Sequence, residues 1–166
     1  MKPVILDQLN KQLNMEFYSA YFYLSMVAYL QSKNLPGAAN WMNIQYQEEQ
    51  AHAMKLFQYI INRGGKVKLE IIESPPAEWK DIIDVFEHVL EHEKKITESI
   101  NNIFDSAHSE KDHATFSLLQ WYVNEQVEEE SNVETILSRL KMVEGKGTGL
   151  FMLDNEMNTR VFQPIQ

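Results

Sequence analysis

The chain has 166 residues, enough for one domain with a real core, and 44 % hydrophobic against 23 % charged residues is the balance of a folded globular protein. A formal charge of -9 argues against a nucleic-acid partner, which needs a basic stripe to neutralise phosphates. With no cysteine there is no disulfide, thiolate zinc site or iron–sulfur cluster, so any metal must be held by oxygen and nitrogen.

The N-terminal "MKPVILDQLNKQLN" has no apolar signal core. No stretch reaches the roughly 18 to 20 apolar residues of a membrane span, so a cytoplasmic location without a membrane partner is expected. Breakers then divide the chain: "KNLPGA" at 33–38, "RGGKVKLEIIESPPAEW" at 63–79, "AHSEKDH" at 107–113 and "EGKGTG" at 144–149. Helices are expected over about 4–33, 37–64, 79–107 and 111–143, with a short fifth at about 148–158, in one domain spanning 1–166.

In the first helix an alternating three-and-four spacing runs through Leu6, Leu9, Leu13, Glu16, Ala20, Tyr23 and Val27, so one carboxylate interrupts an apolar seam. The second gives Ala38, Met42, Gln45, Glu49, His52, Leu56 and Tyr59. The third gives Ile82, Phe86, Val89, Glu93, Ile96, Ile100 and Ile103, and the fourth Leu119, Tyr122, Gln126, Glu129, Val133, Ile136 and Leu140. This spacing keeps one stripe of each helix facing its neighbours, which predicts an all-α four-helix bundle. A helix of about 27 residues is roughly 40 Å long, and an extended link of about 15 residues can span it. Two short connections and one long crossover therefore predict an up-down-down-up order.

Glu16, Glu49, Glu93 and Glu129 fall near the midpoints of their seams, at one depth, with no seam Lys or Arg to neutralise them. Ionised carboxylates in an apolar medium protonate or find a cation, and a divalent metal accounts for all four at once. Oxygen-rich ligands with one imidazole suit iron or manganese, with zinc as a redox-silent competitor. Glu49-x-x-His52 supplies one Glu-x-x-His motif of the di-iron carboxylate bundles, while three residues beyond Glu129 stands Asn132. Two unequal metal positions follow: Glu16, Glu49 and His52 hold one, and Glu49, Glu93 and Glu129 hold a weaker one without imidazole.

The stretches "LNMEFYSAYFYL", "QEEQAHAMKLFQYI", "HVLEHEKKI" and "LLQWYVNEQVEEE", with the single long crossover, resemble a bacterial non-haem ferritin from end to end. The resemblance implies a hollow 24-subunit homo-oligomer that oxidises Fe(II) with dioxygen or hydrogen peroxide and stores a ferric mineral inside. It maps the ferroxidase centre onto Glu16, Glu49, His52, Glu93, Gln126 and Glu129. It also implies a third iron site at Glu48, Glu125, Glu128 and Glu129, although an acidic run such as "EQVEEE" is equally a solvated face. Bacterioferritins carry histidine where Gln126 stands and a haem-ligating methionine where Gln50 stands, so no haem is expected. Tyr23, seven residues from Glu16, reads as a hydrogen-bond donor to a ligand, an electron donor, or a core aromatic. Trp121 reads as an electron relay or a packed indole, and His88, His92, His108 and His113 as surface residues off the seams. Two rival functions are a DNA-associated mini-ferritin and a non-catalytic bundle whose polar layer sets helix register.

Overall fold

The computed structural model describes residues 1–164, and among them are five helices and no strand: α1 (Pro3–Ser32), α2 (Pro36–Asn62), α3 (Ile82–Ser109), α4 (His113–Met142) and α5 (Gly147–Met157). α1 and α2 each open on a proline, whose missing N–H costs nothing in the first turn. α3 starts at Ile82 rather than near residue 79, because Asp81 takes the cap position and its carboxylate accepts the Asp84 amide N–H at 2.9 Å. Asp112 caps α4 in the same way, accepting from the Thr115 N–H at 3.2 Å.

The direction of each helix is fixed by contacts at the bundle's ends. Arg63, just past α2, forks onto Asp112 with Nη1 and Nη2 at 3.0 and 3.2 Å, so α2 ends where α4 begins. The crossover climbs back along α1: Asn10 brackets Lys66 and Lys68, Asn14 brackets Lys68 and Glu70, and Tyr29 donates to the Trp79 carbonyl at 2.7 Å. α3 therefore starts beside the end of α1 and runs parallel to α2, which is the up-down-down-up bundle. No helix among the described residues is long and apolar enough to cross a membrane.

α3 buries its whole three-four seam, whereas the other seams slip by one residue towards their ends. Ile5, Met26, Ile60 and Leu137 are the buried members there, and Leu6, Val27, Tyr59 and Ile136 are half-buried. A near-straight helix winds about 20° per heptad off a strict 3.5-residue repeat, so a count made from the middle loses register at the ends, earlier at Ile5 and later at Ile60 and Leu137; Met26 does not follow this drift.

Two apolar clusters fill the bundle. One gathers Tyr23, Met26, Met42, Phe86, Val89 and Val133, and the other Leu9, Leu13, Leu56, Ile96, Ile100 and Leu119. The polar residues of the seam midpoints lie between them. α5 docks on the start of α2, where the Asp154 carboxylate accepts the Gly37 and Ala38 N–H groups at 3.1 and 2.8 Å. Only glycine fits at 37, since a Cβ there would lie 1.6 Å from the Asp154 carbonyl oxygen.

Candidate metal centre

The bundle geometry brings Glu16 from α1, Glu49 and His52 from α2, Glu93 from α3, and Gln126 and Glu129 from α4 into one layer. None is more than 4 % exposed. The layer has two sides that differ in what their polar atoms already hold.

On the α1–α2 side the ligand atoms of Glu16, Glu49 and His52 lie within 4.8 Å of one another. His52 Nδ1 is 3.6 Å from Glu49 Oε2. Gln12 steadies Glu16 by donating to Oε1 at 2.8 Å, and is itself held by Ser99 at 2.6 Å. Glu16 Oε2 and His52 Nε2 are buried and have no hydrogen-bond partner. Buried polar atoms are rarely left so, and the imidazole presents Nδ1 to Glu49 at 3.6 Å and Nε2 to Glu125 at 4.0 Å, so His52 stands between two groups that could each hold a cation.

On the α3–α4 side every carboxylate has found a donor. The Tyr23 hydroxyl donates to Glu93 Oε1, and Gln126 Nε2 donates to Glu93 Oε2 at 3.0 Å. Gln45 Nε2 donates to Glu129 Oε2 at 2.7 Å. Glu49, Glu93 and Glu129 do not form a close trio among the described residues; the second close group is His52, Glu125 and Glu129, with His52 Nε2 4.0 Å from Glu125 Oε1.

Electrostatics follow from enclosure. Burial, reinforced by the charge of Glu49, pushes the Glu16 carboxyl well above its ordinary range, and burial with the charge of Glu93 does the same to Glu49. Glu129 is pushed up to about 8 by burial and the Glu93 charge. The same causes raise the Tyr23 phenol, which keeps it a protonated donor. A divalent ion would reverse these shifts by favouring every ionised form at once. Tyr122 holds the α2 backbone here by donating to the His52 carbonyl at 2.8 Å, and Trp121 meets the His52 ring edge-on at 5.3 Å.

Beyond this layer opens a vestibule of about 330 Å³ walled by Glu48, Trp121, Glu125, Glu128, Glu129 and Arg160. Of the four carboxylates expected at a third site, Glu125 and Glu129 are close to each other. Glu48 is engaged by Arg160, and Glu128 is exposed to solvent.

His92 is not a surface residue. It is largely enclosed, its Nε2 2.7 Å from the Ser19 hydroxyl and its ring 4.9 Å from Phe22, and burial lowers its pKa. The seam count sees only the bundle's centre, whereas α1 and the crossover cover this flank of α3. Two further supports, Gln12 and Arg160, went unread in the sequence, and Gln45 was read as a seam residue but not as a donor to Glu129. Gln12 stands four residues before Glu16, a helical spacing that could have marked it as a support, whereas Gln45 donates across to Glu129 on α4.

A family model described as a ferritin-like domain matches residues 6–143. A bacterial non-heme ferritin of Escherichia coli O6:H1 is 36 % identical over 159 residues, covering 96 % of each chain. One from Bacteroides fragilis (strain 638R) is 38 % identical over 154 residues, covering 93 % of this chain and 96 % of the other. Among solved structures, an open-pore ferritin from the hyperthermophilic archaeon Archaeoglobus fulgidus superposes with a TM-score of 0.96 at 45 % identity, over 97 % of this chain and 99 % of that one.

Proposed function

The chain belongs to the ferritin-like family, and on that premise we propose that it is an iron-storage ferroxidase. It takes up Fe(II) as substrate, oxidises it in the buried layer of each subunit, and deposits ferric oxyhydroxide inside a 24-subunit shell in the cytoplasm. The observation that carries this reading is the close buried trio of Glu16, Glu49 and His52, with Glu16 Oε2 unpaired, in a layer of carboxylates that holds no Lys or Arg among the described residues.

Glu16, Glu49 and His52 are the ligands ready for the first Fe(II). Glu49 reaches towards both sides, and Glu93 and Glu129 supply the second position once Tyr23, Gln126 and Gln45 release or share them. Two Fe(II) held together can each give one electron to a single oxidant in one encounter. Dioxygen takes two electrons and two protons to leave as hydrogen peroxide; peroxide takes the same to leave as two waters. The carboxylates stabilise the Fe(III) products by charge, and the acidic vestibule formed by Glu48, Glu125, Glu128 and Glu129 offers the next foothold outward.

A register-setting polar layer predicts satisfied hydrogen bonds throughout, and the orphaned atoms argue against it. A DNA-associated mini-ferritin holds its iron between subunits, whereas these candidate ligands lie within one bundle. The double variant Glu49→Ala/His52→Ala tests the assignment: rapid Fe(II) oxidation, followed by absorbance in air, is abolished while particle mass is unchanged. Oxidation at the wild-type rate would refute it.

A further inference from the structure

Arg160 lies in the tail beyond α5, yet its side chain reaches the vestibule. Its Nη2 donates to Glu48 Oε2 at 2.6 Å. Three other contacts hold it independently of Glu48: its carbonyl accepts from Asn40 Nδ2 at 3.0 Å, its guanidinium lies over the Trp41 ring at 4.7 Å, and Nη1 reaches the Trp41 carbonyl at 3.5 Å. Among the described residues lining the vestibule it is the one cation, set against four carboxylates.

We propose that Arg160 is a tethered cation that competes with divalent ions for Glu48, so that the vestibule passes iron onward instead of retaining it. This rests on the ferroxidase reading above, in which the vestibule is a cation position. The guanidinium donor at 2.6 Å takes one lone pair of Glu48 Oε2 and offsets the charge of the carboxylate, so an arriving ion competes with Arg160 for Glu48. Displacement is local, because the stacked position on Trp41 and the Asn40 anchor persist when Glu48 is released. The guanidinium then remains beside the ion, and recloses on Glu48 when the ion moves on. Arg160 is thus a positioning residue: it sets how long the vestibule holds iron without touching the oxidation centre.

The test is calorimetric titration of the metal-free, full-length protein with Zn(II), which is redox-silent. Arg160→Gln should tighten the weakest class of Zn(II) sites about tenfold and leave the tighter classes within about twofold, as expected for loss of one charged competitor. Arg160→Lys, which keeps the charge and the tail but loses the planar guanidinium, should give a smaller gain in the same class, and it serves if the glutamine variant disturbs the tail. In a Glu48→Gln background the Arg160 effect should vanish. Equal affinity in wild type and both Arg160 variants overturns the proposal and leaves the ferroxidase reading standing; so does an undiminished gain in the Glu48→Gln background, which would mean a general charge effect. Absence of any weak class in all variants overturns both the proposal and the vestibule as a cation position.

Discussion

On the α1–α2 side of the polar layer, Glu16 has a donor on Oε1 alone and His52 Nε2 has none, while on the α3–α4 side Glu93 and Glu129 are tied to Tyr23, Gln126 and Gln45. Both sides are equally buried and drawn from the same kind of seam. The difference lies in the second layer of donors: one side is preorganised for a metal, and the other must exchange hydrogen bonds for one. Binding energy spent on that exchange lowers affinity, so the second position should fill later and empty sooner.

The largest expected effect separates the sides directly. Glu16→Ala should weaken binding of the first Zn(II) by at least about a hundredfold, whereas Glu93→Ala should spare the first ion and weaken the second. If calorimetry found equal losses of the first ion in both variants, the two sides would not be distinct.

The second effect is on pH dependence. Glu129 has its carboxyl raised from 4.5 to about 8, and Glu16 and Glu49 are raised in the same direction. A raised carboxyl binds protons more tightly folded than unfolded, so its stabilisation is full below the unfolded pKa and is lost as pH rises through the folded one. The melting temperature of the metal-free protein should therefore fall by several degrees between about pH 5 and pH 8, and divalent metal should restore it most at the upper end. A melting temperature that rises over this window would mean that the carboxylates are not enclosed.

Gln126→His should sharpen the comparison from the other side. It gives the weaker position an imidazole and removes the amide that ties down Glu93, so the second ion should bind about tenfold tighter. The smallest effect is that of Tyr23→Phe, which deletes one donor to Glu93. It should slow oxidation only a few-fold and change stability by about 1–2 kcal/mol, measured by stopped-flow absorbance and denaturant unfolding.

The bundle, its order and the layer of four glutamates were legible because helical periodicity and breakers are local signals, and matching seam depth is simple counting. Glu16, Glu49, Glu93 and Glu129 were found in this way. Less legible were features set by rotamer and by covering chain. Glu93 accepts from Tyr23 and Gln126, donors brought from two other helices, which no spacing within α3 encodes. His92 is enclosed because the crossover and α1 lie over it. Arg160 reaches Glu48 across 112 residues of sequence, through a tail that carries no periodicity.

The central claim is that the buried layer is a metal centre with a prepared side and an unprepared one. Crystals soaked anaerobically with graded Fe(II) and measured at the iron absorption edge test it most directly. At low loading a single anomalous peak should stand among Glu16, Glu49 and His52, joined at higher loading by a second towards Glu93 and Glu129. Iron found only on the outer surface, with the layer's hydrogen bonds unchanged at saturation, would contradict the account.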